Sequence, residues 1–519
     1  MKDKRHYLLL IALAAVLAWT YSYTLDTKLD LNGDNATYII LARNMAQGLG
    51  YATTTAEGVM PASHFPPGYS AILSVFMRMG IDNLVFFKVL NAIFLFASLC
   101  LLLWVFSQAT KQLWLVFSAI ILCCFSPQLL HFAGMVMSEM SYMFCTVLGI
   151  TCLWCYAKAE DAEWYKSPWF WLSAVFALCA YHIRTVGMAL MVSIIIFFLF
   201  RKEWLQAAVS LVTQIALMLP WILRNKFYGL ESRYMGTVMT VNPWRPEEGT
   251  ISSVSEFIEK MWTNLDQTVI AGFPQVLFPF AVQETNEPSG VGGILIGLLV
   301  LAIICWGAWN TGKLRWLMLA FMAGNIGLFA LWHGGNGTRY VTPIIPIVYI
   351  LFYNGVFATL KLVLKDKLSD DSRWALVLLL LALPMIKPLQ EMHQRSAQPY
   401  PPAYRNYFRM AKEMNKKLPE GTVVACRKPE LFRYYAPKLY TTNYLYDTNP
   451  DNVVKHMVDH KVDYVILEQL GYSSTPRYMY PALQARPQYF PLVWQLKNPD
   501  TYLLKFERKQ AGAFYNMNE

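Results

Sequence analysis

The strongest constraint in this sequence is the recurrence of apolar runs long enough to cross a bilayer. A spanning helix needs roughly 20 predominantly apolar residues, and about eleven such segments follow one another along the 519-residue chain. They begin near Tyr7, Val85, Leu113, Met140, Trp169, Gly187, Leu205, Gly292, Leu314, Val341 and Trp374. In hydrocarbon every backbone N–H and C=O must find its partner inside the protein, so runs of this kind are expected to be α-helices. Only 15% of residues are charged, against about 25% in a soluble chain. A soluble enzyme is therefore excluded. The stretch 68–80 is apolar but short, which suits an interfacial or re-entrant helix, and no internal repeat is visible.

The net charge of +10 reflects membrane topology rather than nucleic-acid binding. The basic residues gather in short clusters between the apolar runs: Lys2/Lys4/Arg5, Lys111, Lys158/Lys166, Arg201/Lys202, Lys313/Arg315 and Lys361/Lys365/Lys367/Arg373. These fall on alternate connections and mark the cytoplasmic side. The opposite side then receives two long loops, 25–84 and 224–291, and everything after about Lys387. The basic stretch 1–6 leads straight into the first run without a small-residue cleavage site, so an uncleaved first span is expected. Eight of the nine cysteines lie in apolar segments. Cys152 and Cys155 have CxxC spacing but no second pair, which favours packing over a metal or redox role.

Past residue 390 the pattern changes. Segments 422–426, 462–467 and 501–506 read as strands and 450–460 as a helix. The chain thus divides into a membrane domain, 1–390, and a small α/β domain on the outer face, 391–519. No glycine-rich phosphate loop opens its helices, so no nucleotide cofactor is expected. The Tyr- and Pro-rich stretch 398–404 reads as a linker. The amphipathic stretch 254–265 reads as a helix at headgroup level rather than a cover over the site.

The polar residues that membrane insertion does not explain all fall on the outer face. Asp34 sits where a helix N-cap would sit, a role that suits Asp, and a helix-like segment with Tyr38 follows. The same loop ends in His64-Phe65-Pro66-Pro67. Glu139 stands at the mouth of the fourth span among apolar neighbours, where an ionisable group is costly unless paired or functional. His182 and Arg184 lie at the next outer turn, Arg224-Asn225 at the end of the seventh span, and His333 and Arg339-Tyr340 between the ninth and tenth. Singly, such residues are usually interfacial anchors. Their shared side makes a cluster, and it suits displacement at a sugar carbon with phosphate leaving. A carboxylate can take the acceptor proton, while arginines and a divalent metal can hold the phosphate charge.

The same residues resemble the polytopic GT-C glycosyltransferases, especially the bacterial branch of protein O-mannosyltransferases and lipid A aminoarabinose transferases. Over residues 7–350 the resemblance is carried by Asp34 and Tyr38, the Ala42-Arg43-Asn44-Met45-Ala46-x-Gly48 helix, Pro66-Pro67 and Glu139. Arg184 before a glycine, Trp221-x-x-Arg224-Asn225, and Arg339-Tyr340 followed by Pro343 and Pro346 complete it. It implies a GT-C-like α-helical polytopic membrane protein of about 11 transmembrane helices with an outer domain. It further implies inverting transfer of a sugar from a polyprenyl-phosphate donor to a lipid, glycan or protein acceptor, on the periplasmic face of a bacterial-type inner membrane.

Asp34 becomes the general base and Glu139 the second acid. Arg184, Arg224 and Arg339 become candidates for the lipid-linked phosphate. Tyr38, His64, His333 and Tyr340 complete the expected substrate-binding set, with Glu139 and His64 as candidate ligands for Mg, Mn or Zn. Two positions depart from the pattern. Asn35 stands where many relatives have a second acid, and His64 and Phe65 stand where aminoarabinose transferases carry an acid and a Lys. The acceptor therefore stays open. Two rival readings use the same residues: a transporter or flippase of lipid-linked saccharides, which would place polar groups near the bilayer midplane, and a non-catalytic binder of the lipid.

Overall fold

The computed structural model describes residues 4–159, 163–230, 233–242, 245–282, 287–332, 337–364 and 372–516. All eleven apolar runs are helical. Among the described residues, eight helical stretches are long and apolar enough to cross a bilayer: Tyr7–Thr24, Leu84–Thr110, Glu139–Ala159, Trp204–Phe227, Val291–Trp309, Gly312–Leu331, Thr342–Leu364 and the run starting at Arg373. The other three depart from the simple expectation. Leu113–Cys123 stops and resumes as Pro127–Ala133 after a bend of 62°. The new helix starts on Pro127, and the Ser126 hydroxyl caps it by accepting from the Leu129 amide. Pro168–Ile183 and Thr185–Phe200 are shorter than a full span. They meet at Arg184, whose extended backbone (φ −147°, ψ 133°) ends the first of them.

Packing follows membrane rules. The helix Trp204–Phe227 leaves Leu211, Val212, Ile215, Leu219, Ile222 and Leu223 exposed, a surface that hydrocarbon tolerates and water does not. Helices Val291–Trp309 and Ile345–Leu364 cross with backbones in contact. A Cβ on Gly307 would fall 1.7 Å from the Leu351 carbonyl oxygen, and one on Gly355 2.0 Å from that of Ile303. Asn354 Nδ2 donates to the Gly307 carbonyl at 2.8 Å in the same crossing.

The bundle has two chemically different ends. At one, Lys158 Nζ donates to Gln108 Oε1 at 2.8 Å and Lys313 Nζ to the Ala157 carbonyl at 2.9 Å. Glu139 starts the helix that carries Lys158 in its last turn, which puts the two about 30 Å apart at 1.5 Å per residue. The acidic end also carries the first long loop, with its hairpin of β1 (Ala52–Thr55) and β2 (Gly58–Pro61). Helix Gly68–Arg78 packs on helix Asp34–Ala46 there. In the second loop, Val254–Leu265 exposes Val254, Ile258 and Trp262 at four-residue spacing. That single apolar stripe suits the headgroup level.

The C-terminal sheet has five strands: β3 (Val423–Ala425), β4 (Tyr440–Thr442), β5 (Tyr464–Leu467), β6 (Leu492–Leu496) and β7 (Thr501–Lys505), in the order β4-β3-β5-β7-β6. β3 runs parallel to β4 and β5, and β7 antiparallel to β5 and β6. Helix Pro450–Asp459 buries Val453, Val454 and Met457 in the domain core. The expected strand–helix–strand pattern is present, and β4 and β6 extend the sheet beyond it.

Candidate active site

Asp34 is not a helix cap. Gly33 takes the cap position with φ +100°, a conformation that glycine adopts without steric cost. Asp34 follows as the first helical residue. Its carboxylate instead meets Arg339, Oδ2 to Nη2 at 2.8 Å, and keeps 29% of its side-chain surface open.

Glu139 lies behind it with no exposed surface. Its Oε1 accepts from Arg184 Nη1 at 2.8 Å and from Arg339 Nε at 3.3 Å. The four side chains thus form one line of alternating sign: Asp34, Arg339, Glu139, Arg184. Local structure favours each placement. Both acids begin helices, where the positive end of the dipole stabilises a carboxylate, and Arg184 closes a helix C-terminus, where a cation is favoured. Burial by itself would lower the Arg339 pKa, yet the Glu139 and Asp34 carboxylates raise it above its ordinary value. Among the described residues Glu139 Oε2 has no hydrogen-bond partner.

Tyr38 holds the two helix starts together. It is buried, and its hydroxyl lies 3.1 Å from Ser138 Oγ, which also accepts from Arg184 Nη1 at 3.0 Å. Asn91 Nδ2 donates to the Met135 and Met137 carbonyls and fixes the turn ahead of Glu139. Tyr340 accepts from Trp332 Nε1 at 2.8 Å and follows Arg339 directly in sequence. His333 lies outside the described residues.

Two expected residues are engaged elsewhere. Arg224 donates to the Tyr51 carbonyl at 2.8 Å and to the Ala62 carbonyl at 3.0 Å, clamping both feet of the β1–β2 hairpin. Its guanidinium also stacks on Trp221, 4.8 Å from the ring centre. Hydrogen bonds to a charged donor contribute about 1.5–3 kcal/mol. Arg224→Gln is therefore expected to speed amide exchange across 51–62 by about tenfold or more, read by mass spectrometry. Unchanged exchange would show that the hairpin holds itself.

His64 is exposed beside Phe65, and it is Phe65 that stacks on Tyr38 at 4.6 Å. Among the described residues no three His, Cys, Asp or Glu side chains gather to hold an ion. The Glu139 carboxylate already carries two guanidinium groups, which repel a cation. Glu139 and His64 do not fit a divalent metal site.

Reading the sequence missed the contribution of the C-terminal domain. Lys428 Nζ donates to the Asn32 carbonyl, and a Cβ on Gly33 would lie 3.6 Å from the Lys428 side chain and 3.8 Å from Glu430 Oε2. Arg433 donates to the Thr54 carbonyl and hydroxyl in the hairpin. Ser138 was also missed, although its place beside Glu139 was a usable signal.

No family model and no curated protein sequence matches this chain. Solved structures do match it. The archaeal oligosaccharyltransferase AglB from Archaeoglobus fulgidus, in complex with an inhibitory peptide and a dolichol-phosphate, aligns with 97% of this chain and 74% of its own (TM-score 0.59, 12% identity). ArnT from Cupriavidus metallidurans bound to undecaprenyl phosphate aligns with 95% of this chain and 97% of its own (TM-score 0.56, 12% identity). The fold is that of the GT-C glycosyltransferases. A further structure of the Archaeoglobus enzyme, a complex with Zn and sulfate, aligns with 95% of this chain and 72% of its own (TM-score 0.56, 12% identity). The GT-C fold accounts for the helical bundle, the long loops at one end and the C-terminal domain resting on them.

Proposed function

We propose that the protein is an integral-membrane glycosyltransferase that moves a sugar from a polyprenyl-phosphate donor to an acceptor in the cell envelope, inverting the anomeric centre. The observation that carries this reading is the line Asp34–Arg339–Glu139–Arg184, with Asp34 at its open end, in a GT-C fold. Asp34 takes the proton of the acceptor hydroxyl as the acceptor oxygen attacks C1 of the sugar. The bond from C1 to the phosphate oxygen breaks, and polyprenyl phosphate leaves with the electron pair. Each guanidinium carries five N–H donors, and the bonds to Glu139, Asp34 and Ser138 leave N–H groups on Arg184 and Arg339 for that phosphate. Charge building on the leaving oxygen is thus met by pre-oriented donors. Glu139 is a positioning residue that holds both guanidiniums, and Tyr38 sets the acid-bearing helix against the Glu139 turn.

The basic clusters lie at the other end of the bundle. The positive-inside rule supports a site and C-terminal domain on the outer, periplasmic face of a bacterial-type inner membrane. ArnT bound to undecaprenyl phosphate supports a lipid-phosphate donor, and a site beside the bilayer suits a tail that stays in it.

The test uses purified protein in detergent, polyprenyl phosphate bearing a radiolabelled sugar, and an envelope extract as acceptor, with and without EDTA. Label is expected to leave the lipid for a second product with opposite anomeric configuration, and comparison of the two arms decides whether a metal takes part. Retained configuration would remove the single-displacement step. Loss of transfer in EDTA would assign a metal to the reaction, with ligands other than the Glu139–His64 pair. No transfer across a panel of donor sugars, with lipid still bound, would favour the non-catalytic binder.

A further inference from the structure

A cavity of about 380 Å³ opens between the second outer loop and the C-terminal domain, within the size range of ligand sites. The loop contributes Asn242 and Arg245, and the domain contributes Arg427, Lys428, Tyr446, Tyr472, Ser473 and Ser474. Three of these are cations, one of which, Arg245, already pairs with Glu248 at 3.1 Å, and among the described lining residues there is no acid. Arg427 is only 8% exposed, and its Nε is buried without a hydrogen-bond partner among the described residues. Its guanidinium lies 4.4 Å from the Tyr472 ring centre and 5.6 Å from that of Tyr446. Tyr404 holds the Tyr472 ring in place, hydroxyl to hydroxyl at 3.1 Å.

The nearest acids, Glu468 and Glu430, act on Arg427 through space, but neither makes a hydrogen bond to its Nε. Glu468 accepts from the Leu470 amide and the Thr475 hydroxyl, and burial raises its pKa. Glu430 points to Gly33, and its pKa is also raised by burial. A buried guanidinium with an unused N–H is costly unless something accepts from it. Tyr446 already stacks on Tyr478 at 5.3 Å, which leaves the Tyr472 ring, with Arg427 and Lys428 beside it, as the aromatic surface for a sugar ring.

Position adds a second constraint. Lys428 lines the cavity and also bonds to Asn32, two residues before Asp34. Arg339 meets Asp34 from the helical domain, and Lys428 ties the wall of this cavity to the loop that carries Asp34. We propose that the cavity holds an acidic acceptor saccharide, its phosphate or carboxylate on Arg427, Lys428 and Arg245 and its ring against Tyr472. This rests on the transferase reading for the word acceptor, whereas the binding it predicts can be measured without transfer.

The test is calorimetric titration of the full-length protein in detergent with glucose 6-phosphate, glucuronate, glucose and inorganic phosphate. Charge-assisted bonds to guanidinium are about twice as strong as neutral ones, so at least one acidic sugar is expected to bind about tenfold or more tighter than glucose. Which acid wins identifies phosphate or carboxylate. Arg427→Gln should abolish that preference. If that variant does not fold, Arg245→Gln on the open wall should still reduce it about threefold, as one of three cations. Tyr472→Leu should weaken the sugars and leave inorganic phosphate unchanged. Equal binding of acidic and neutral sugars, or none at millimolar concentrations, would overturn the proposal. Acid-selective binding in a protein that transfers nothing would keep the cavity and refute the transferase. Efficient transfer to neutral acceptors, unchanged in Arg427→Gln, would do the reverse.

Discussion

Replacing Asp34 by Asn is expected to lower sugar transfer by about 10²- to 10⁴-fold, the usual contribution of a positioned general base, while polyprenyl phosphate still binds. The amide keeps the size of the carboxylate and can still face Arg339, but it cannot accept the acceptor proton. Asp34 is the member of the charged line with the most open surface, 29%, so the substitution leaves the buried part of the network in place. Transfer by the variant near the wild-type rate would show that another group takes the proton. A parallel fall in lipid affinity would mean instead that Asp34 organises the phosphate site through Arg339.

The second large effect is on stability. Glu139→Gln is expected to destabilise the protein by about 3–5 kcal/mol, the usual result of removing one partner from a buried ion pair. Glu139 Oε1 lies between Arg184 and Arg339; without its charge Arg339 keeps Asp34, and among the described residues Arg184 loses its ion pair. Thermal unfolding in detergent should show the loss directly. Arg184→Gln in the same chain should restore part of it, with a coupling of about 1–3 kcal/mol, as for residues in one network. Additive losses would mean that the two side chains are energetically independent despite the 2.8 Å contact.

Much of this architecture was legible because its determinants are local. The length of an apolar run sets a helix, so eleven segments were placed, and the short apolar runs in 422–426, 462–467 and 501–506 placed three strands. Asp34, Glu139, Arg184 and Arg339 were found because charge beside a span is costly without a purpose. What stayed hidden depends on distant partners. Arg224 reads like a phosphate ligand in sequence, yet its partners are the carbonyls of Tyr51 and Ala62, and a backbone acceptor leaves no mark on residue identity. His64 sits next to the residue that packs, Phe65, and is itself exposed. Lys428 and Glu430 belong to a polar segment with no pattern of its own. They acquire a role only when the C-terminal domain settles on a loop some 400 residues earlier. Even the short helices before and after Arg184 follow from tertiary structure, since the break between them is what delivers the guanidinium to Glu139.

The most direct measurement is a cryo-EM structure of the full-length protein with a polyprenyl-phosphonate sugar, in which carbon replaces the scissile oxygen. The phosphonate is expected within hydrogen-bonding distance of Arg184 and Arg339, with C1 of the sugar facing Asp34 and the tail running out into the bilayer. A phosphonate held near the bilayer midplane, or at this end of the bundle but away from both arginines, would contradict the assignment of Asp34–Arg339–Glu139–Arg184 as the reaction centre.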